Sequence, residues 1–314
     1  EISACLVGSE MCIRDSSKEV RPAMKVDKFR TVIIYITIIL LGLVCLLPLL
    51  NIVAISFSSS AAVEGNMVGL IPVGFSTAAY KKILEDSQFW HSFLISVERV
   101  VLTLIINFVL IVLMAYPLSK TNAQFRGRNI YANLMIFAML FNGGMIPTFL
   151  LVKSYGLLNT IWALVLPGAV PIFNVILVMN FFAAVPKELE EAAFIDGANP
   201  LQVLTKIFIP ISKPVLATVS LFSIVGSWND FYSGLIYMSK AAYYPLMTYI
   251  QSLQINVEDL IKQGNLSAVV DSASLGNTNL NAAKIVVAVI PLLLIYPLLQ
   301  RYFVSGIVVG SVKG

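Results

Sequence analysis

Between Arg30 and Glu64 the chain carries no charged side chain, and most of that interval is the run TVIIYITIILLGLVCLLPLLNIVAIS, Thr31 to Ser56. A backbone helix of about 20 apolar residues crosses the hydrocarbon of a bilayer. Five more runs follow: about Ser92 to Leu118, Asn129 to Val152, Thr160 to Val185, Val215 to Met238 and Ala282 to Phe303. None alternates polar and apolar residues as a barrel strand would. In lipid an isolated segment can satisfy its own N–H and C=O groups only as a helix. The predicted class is therefore an all-α, multi-pass membrane protein with six transmembrane helices.

Composition removes several alternatives. Only 12% of residues are charged and the mean hydropathy is +0.86, against about 25% charged in soluble domains. The net charge of +4 carries no sign of a nucleic-acid partner. A single histidine, His91, excludes a multi-histidine metal site, and no Gly-x-x-x-x-Gly-Lys loop is present to cradle phosphates. Cys5, Cys12 and Cys45 form no pairing or ligand pattern. At the N-terminus, LVGSEMCIRDS (Leu6 to Ser16) resembles the translation of a sequencing adapter. Residues 1–16 are accordingly expected to be an artefact and 17–30 a polar N-terminal stretch.

Basic residues set the expected orientation. Lys18, Arg21, Lys25, Lys28, Arg30, Lys120, Arg126, Arg128, Lys187, Lys206, Lys213, Arg301 and Lys313 fall on one side of the six spans. Lys81, Lys82, Lys153, Lys240, Lys262 and Lys284 fall on the other. The richer side, holding both termini, is expected to be cytoplasmic. The two long outer segments are Phe57 to His91 and Ser239 to Asn281, the latter with a short helix expected near Tyr249 to Gln263.

One cytoplasmic stretch departs from the apolar pattern: PKELEEAAFIDGANPLQVLTKIFIPISKP, Pro186 to Pro214. Pro186 suits a first helical turn, and Glu188, Glu190 and Glu191 lie near the positive end of the helix dipole. Leu189, Ala192, Ala193 and Asp196 share one small, nearly flat face. Gly197 can take the positive φ that ends the helix. Asn199 then caps a second helix with Pro200 in its first turn. Leu201, Leu204 and Phe208 are expected to line one side, with Val203 and Ile207 beside them. Pro210 and Pro214 close the element. An acidic helix is a poor partner for an anionic leaflet, so a protein surface is the expected partner.

Glu191 to Gly197 (EAAFIDG), nine residues, and Ile207 to Pro210 (IFIP) resemble the Glu-Ala-Ala loop of permease subunits in bacterial ABC importers. Ile209 stands where leucine is usual. PVGFSTAAYKKIL, AYPLSK, FNGGMIPTFLLVKSYGLLNTIWALVLPGAVPIFNVILVMNFF, SKPVLATVSLFSIVGSWNDFYSGLIYM and YPLLQRYFVSGIVVGSVKG are similar to carbohydrate-importer permeases, in the maltose-type second-permease branch tied to complex oligosaccharides. The resemblance implies an importer transmembrane domain over 31–314 with a coupling loop at 186–214. It implies Glu191, Ala192, Ala193, Asp196, Gly197, Ile207 and Pro210 as the joint to an ATPase. It further implies two cytoplasmic ATPase subunits that bind ATP and Mg, a second permease subunit in a heterodimer, and an extracytoplasmic solute-binding lipoprotein. The chain itself would hold no cofactor and catalyse no reaction. The tail, with Gly306, Gly310 and Gly314, would reach toward the ATPases.

Polar groups inside spans are costly and often functional. Asn142, Asn174, Trp228, Asn229, Asp230 and Tyr232 are the candidate carbohydrate contacts, with helix–helix packing as their alternative role. Arg99 is expected to snorkel to the interface, with Trp90 as an interfacial anchor and His91 as a surface residue. The alternatives are an importer permease for another solute, or a gradient-driven carrier. The carrier should show repeats and midplane carboxylates, and Asp230 is the sole candidate for such an acid.

Overall fold

The computed structural model describes residues 28–141, 143–253 and 278–310, and every regular element among them is helical. In chain order these are α1 (Lys28–Ser56), α2 (Ser60–Glu64), α3 (Ala78–Glu85), α4 (Ser87–Leu118), α5 (Arg128–Leu140), α6 (Met145–Ser154), α7 (Ile161–Val165) and α8 (Ile172–Ala183). Next come α9 (Lys187–Ile195), α10 (Pro200–Val203), α11 (Ile209–Ile211), α12 (Lys213–Asn229) and α13 (Tyr232–Tyr237). Residues 246–253 are helical, and α14 (Thr278–Gly310) follows. Thr31–Ser56, Ser87–Leu118 and Thr278–Pro297 are each long and apolar enough to cross a membrane, and three bent pairs raise the count to as many as six. The protein is an all-helical, multi-pass membrane protein.

The described chain falls into two units, one ending at Asn51 and one beginning at Ile52. In the first, residues 32–50 of α1 are exposed throughout, as a helix solvated by lipid on all sides would be. In the second, α4 is the central rod, packing on α8, α12 and α7. Its buried residues include Ser92, Ser96, Arg99, Thr103 and Asn107. These share one polar stripe along the helix, and part of the stripe meets other helices through hydrogen bonds. The Asn107 amide lies 3.2 Å from the Ser223 hydroxyl on α12, and Ser96 Oγ accepts from the Leu246 N–H at 2.7 Å. Toward its Leu118 end, Ile111, Val112, Ala115 and Leu118 join Val178 and Phe182 of α8 and Val215 and Val219 of α12 in the main core.

Several expected boundaries shift. The third span is two helices, α5 and α6, and the fourth bends by 47° between Ile161–Gly168 and Ile172–Ala183. The fifth stops at Asn229, because Asp230 adopts extended backbone at φ −75°, ψ 99°. With 17 residues, α12 rises about 26 Å, just short of the hydrocarbon thickness, and α13 continues beyond the break. The expected outer helix at 249–263 begins earlier, at Leu246, and its residues 254–263 lie outside the described residues. The last helix runs on through Gly310, so Gly306 and Gly310 are helical although they follow the candidate span Thr278–Pro297, while Gly314 lies outside the described residues.

At the Ser87 end of α4, Asp86 caps the helix through the Phe89 N–H at 3.0 Å. Its carboxylate also accepts from Lys284 Nζ of α14 at 2.7 Å and from the Tyr249 hydroxyl at 3.0 Å. Burial raises the Asp86 pKa, but Lys284, the Phe89 N–H and Tyr249 together outweigh it and hold the carboxyl below its ordinary value. Burial and the Asp86 charge push the Tyr249 phenol up. A carboxyl with a depressed folded pKa contributes stability above its unfolded pKa and loses it as pH falls through the folded value. Detergent-solubilised wild type should therefore lose thermal stability steeply below about pH 4, and Asp86→Asn should show a flatter acid limb. Superimposable pH profiles of melting temperature would contradict this.

Candidate functional site

The 186–214 segment forms two helices around a glycine turn. Pro186 precedes α9, Asp196 caps its end, and Gly197 takes φ +78°. Asn199 then closes a reciprocal capping box. Its side chain accepts from the Gln202 N–H at 2.8 Å, and Gln202 Oε1 accepts from the Asn199 N–H at 2.9 Å. Asn199→Ala removes one of these bonds and should cost about 1 kcal/mol, read as a lower unfolding midpoint and faster proteolysis at the turn. The helix from Pro200 passes through a π-helical stretch, Leu204–Phe208, into α11. It then turns by 84° into α12 at Ser212.

The exposed surface of this segment is largely the one read from sequence. Leu189, Ala192 and Asp196 are exposed and Ala193 half-buried. The inner face differs on the second helix. Val203, Leu204 and Phe208 are buried, whereas Leu201 is 61% exposed and points away from the core. Ile195 is 87% exposed on α9. Between the two helices lies a cleft of about 490 Å³, lined by Ala193, Asp196, Gly197, Ala198, Gln202, Val203, Lys206 and Ile207. Five of the expected joint residues thus gather there or beside it; Glu191 is exposed on α9, and Pro210 sits further along in α11.

The residue that sequence reasoning treated as one acid among three is the anchor. Glu190 is buried, its Oε2 lies 2.7 Å from Lys120 Nζ, and its Oε1 accepts from the Tyr116 hydroxyl at 3.3 Å. The Lys120 ammonium also sits 4.1 Å from the Tyr116 ring centroid and 4.2 Å from that of Phe208. Phe208 in turn meets Tyr116 and Phe182 edge-on. Burial lowers the Lys120 pKa, and the Glu190 carboxylate opposes that shift. The available signal was helical phase: Glu190 lies opposite the face bearing Glu188 and Glu191.

The intramembrane candidates divide. Arg99 does not snorkel. It is 4% exposed and pairs with Asp230 at 2.5 Å, while donating to the Asp230 and Leu164 carbonyls at 3.0 and 3.4 Å. Asp230 also accepts from the Ser233 N–H and hydroxyl, at 3.1 and 2.5 Å, and so caps α13 at the break. A charge pairing across two helices costs less than a guanidinium stretched through lipid toward water. Trp228 is buried and its indole N–H donates to Ala288 O at 3.1 Å, a packing role. Asn174 is buried on α8. Asn229 and Tyr232 are exposed on either side of the break, and the Tyr232 hydroxyl reaches Met145 Sδ at 3.0 Å. Asn142 lies outside the described residues. His91 is exposed, at the rim of a recess of about 260 Å³ shared with Glu98, Asn159, Thr160 and Tyr243.

Residues 71–309 match the family described as the binding-protein-dependent transport system inner membrane component. The chain belongs to that family. The permease is 41% identical to Protein LplC of Bacillus subtilis (strain 168) over 273 residues, covering 87% of this chain and 91% of the relative. It is 40% identical to the polygalacturonan/rhamnogalacturonan transport system permease protein YtcP of the same organism, covering 90% of this chain and 97% of that one. The crystal structure of a bacterial ABC transporter involved in the import of the acidic polysaccharide alginate contains a similar chain. It superposes with a TM-score of 0.78 at 33% identity, over 89% of this permease and 98% of that chain.

Proposed function

We propose that this permease is the non-catalytic membrane subunit of an ATP-driven importer that moves an oligosaccharide across the cytoplasmic membrane. The observation that carries the reading is the 186–214 segment. It presents exposed apolar side chains at Leu189, Phe194, Ile195 and Leu201, with a polar-rimmed cleft between its two helices. Such a surface fits a protein partner better than an anionic lipid surface. The partner in this reading is a cytoplasmic ATPase, which supplies the ATP and Mg chemistry. Both termini then lie in the cytoplasm, and Asn229 and Tyr232 belong to the solute path shared with a second permease. A solute-binding lipoprotein delivers the sugar from outside. The carbohydrate class is supported by the relatives named for polygalacturonan, rhamnogalacturonan and arabinooligosaccharide transport.

A gradient-driven carrier is disfavoured by one feature: the sole candidate midplane acid, Asp230, is locked to Arg99 and Ser233. The test is tagged purification from membranes after co-expression with the flanking genes. Recovery of an ATPase, a second permease and a binding lipoprotein that takes up oligosaccharide is the expected result. A chain that purifies alone and transports on an ion gradient would overturn the reading. A lipoprotein that ignores sugars and binds another solute would keep the importer and replace its substrate.

A further inference from the structure

Helix α9 has nine residues, and the single buried one is the charged Glu190. A helix held by apolar contacts would bury leucine or isoleucine, yet Leu189 and Ile195 face outward. Among its apolar side chains Ala193 packs on the main core, and the bonds from Lys120 and Tyr116 to Glu190 are the polar part of its attachment. The second helix of the segment converges on the same two residues through Phe208. Tyr116 lies in the last turn of α4 and Lys120 just past its end, so one cation and one phenol grip both halves of the segment. About 30 Å away along the same rod, Arg99 holds the break in α12–α13 through Asp230. An ion pair to the 186–214 segment thus sits two residues past one end of α4, and an ion pair to the Asn229–Tyr232 break sits in the other half of the helix.

We propose that Lys120 and Glu190, with Tyr116 and Phe208 around them, form a clasp that makes the 186–214 segment and α4 move as one body. They are positioning residues that convert displacement of the segment into displacement of the solute path. The proposal rests on the importer reading. Exposed surface of the segment, around Ile195 and Leu201, meets the ATPase; the clasp lies on the opposite, buried side, so docking and transmission are separable.

The experiment uses the complete complex with its ATPase, second permease and binding protein, reconstituted in liposomes. Lys120→Met, Glu190→Gln, Tyr116→Phe and the conservative Lys120→Arg are compared with wild type. Three quantities are read: ATPase retained on purification, ATP hydrolysed without solute, and solute moved per ATP. Lys120→Met and Glu190→Gln are expected to retain the ATPase while solute moved per ATP falls about ten-fold. Tyr116→Phe should fall less, and Lys120→Arg should keep the wild-type ratio. A wild-type ratio in both Lys120→Met and Glu190→Gln overturns the clasp, as does loss of the ATPase from either, which would make the pair a docking contact. Where those two variants fail to reach the membrane, Tyr116→Phe decides: an unchanged ratio overturns the clasp and a lowered one supports it. A wild-type complex that assembles with no ATPase overturns the importer reading itself.

Discussion

Asp230→Ala is expected to strip the protein from the membrane fraction or leave it prone to aggregate. The substitution removes the carboxylate from a guanidinium that is 4% exposed. Breaking one partner of a buried pair costs about 3–5 kcal/mol, a large share of the stability of any fold. The loss has little reserve to draw on, because Arg99 Nε already lacks a partner. It also uncaps α13, since both bonds from Ser233 end on the same carboxylate. The double variant Arg99→Leu/Asp230→Ala should recover much of the protein, because replacing both charges by apolar groups is often close to neutral. Membrane yield and melting temperature in detergent measure both effects. Wild-type behaviour of Asp230→Ala, or a double variant worse than the single one, would show that the pair does not hold the break.

Gly197→Asp should have the opposite profile, with protein present and transport lost. Gly197 sits at φ +78°, where an L-residue pays about 1–2 kcal/mol in steric strain. A Cβ built there meets no atom within 4 Å, so nothing in the chain itself clashes and insertion should survive. The added carboxylate enters the cleft beside Asp196, placing a second negative charge on the proposed docking surface. Oligosaccharide uptake should fall to background while the amount in the membrane stays near wild type. Gly197→Asn, a residue that tolerates positive φ, should retain most uptake. Normal uptake in Gly197→Asp would remove the turn from the joint.

Much of the 186–214 segment was legible because its signals are local. Asn199, Pro200 and Gln202 lie within one turn, and a capping box needs nothing else. Gly197 ends α9 for reasons contained in its own backbone. The buried side was read less well. Leu201 is expected to share one side with Leu204 and Phe208, but the π-helical stretch at Leu204–Phe208 shifts the helical phase between them, and Leu201 is exposed while Val203 is buried. The break at Asp230 was similarly hidden: the apolar run continues through Phe231 and Leu235, and hydropathy does not register a change of backbone direction.

By itself the sequence determined that this chain is helical and lives in lipid, because runs without charge leave the backbone no other way to satisfy its hydrogen bonds there. It also placed the helix, glycine turn and helix between two spans, since caps and turns are written within a few residues. Only the tertiary structure decided what the charges do. Arg99 and Asp230 are 131 residues apart, and Lys120 and Glu190 are 70. Helical periodicity says which side of a helix a charge lies on, but not which other helix comes to face it. That choice belongs to the packing of α4 against α8 and α12, where a buried charge is tolerable only once its partner has arrived.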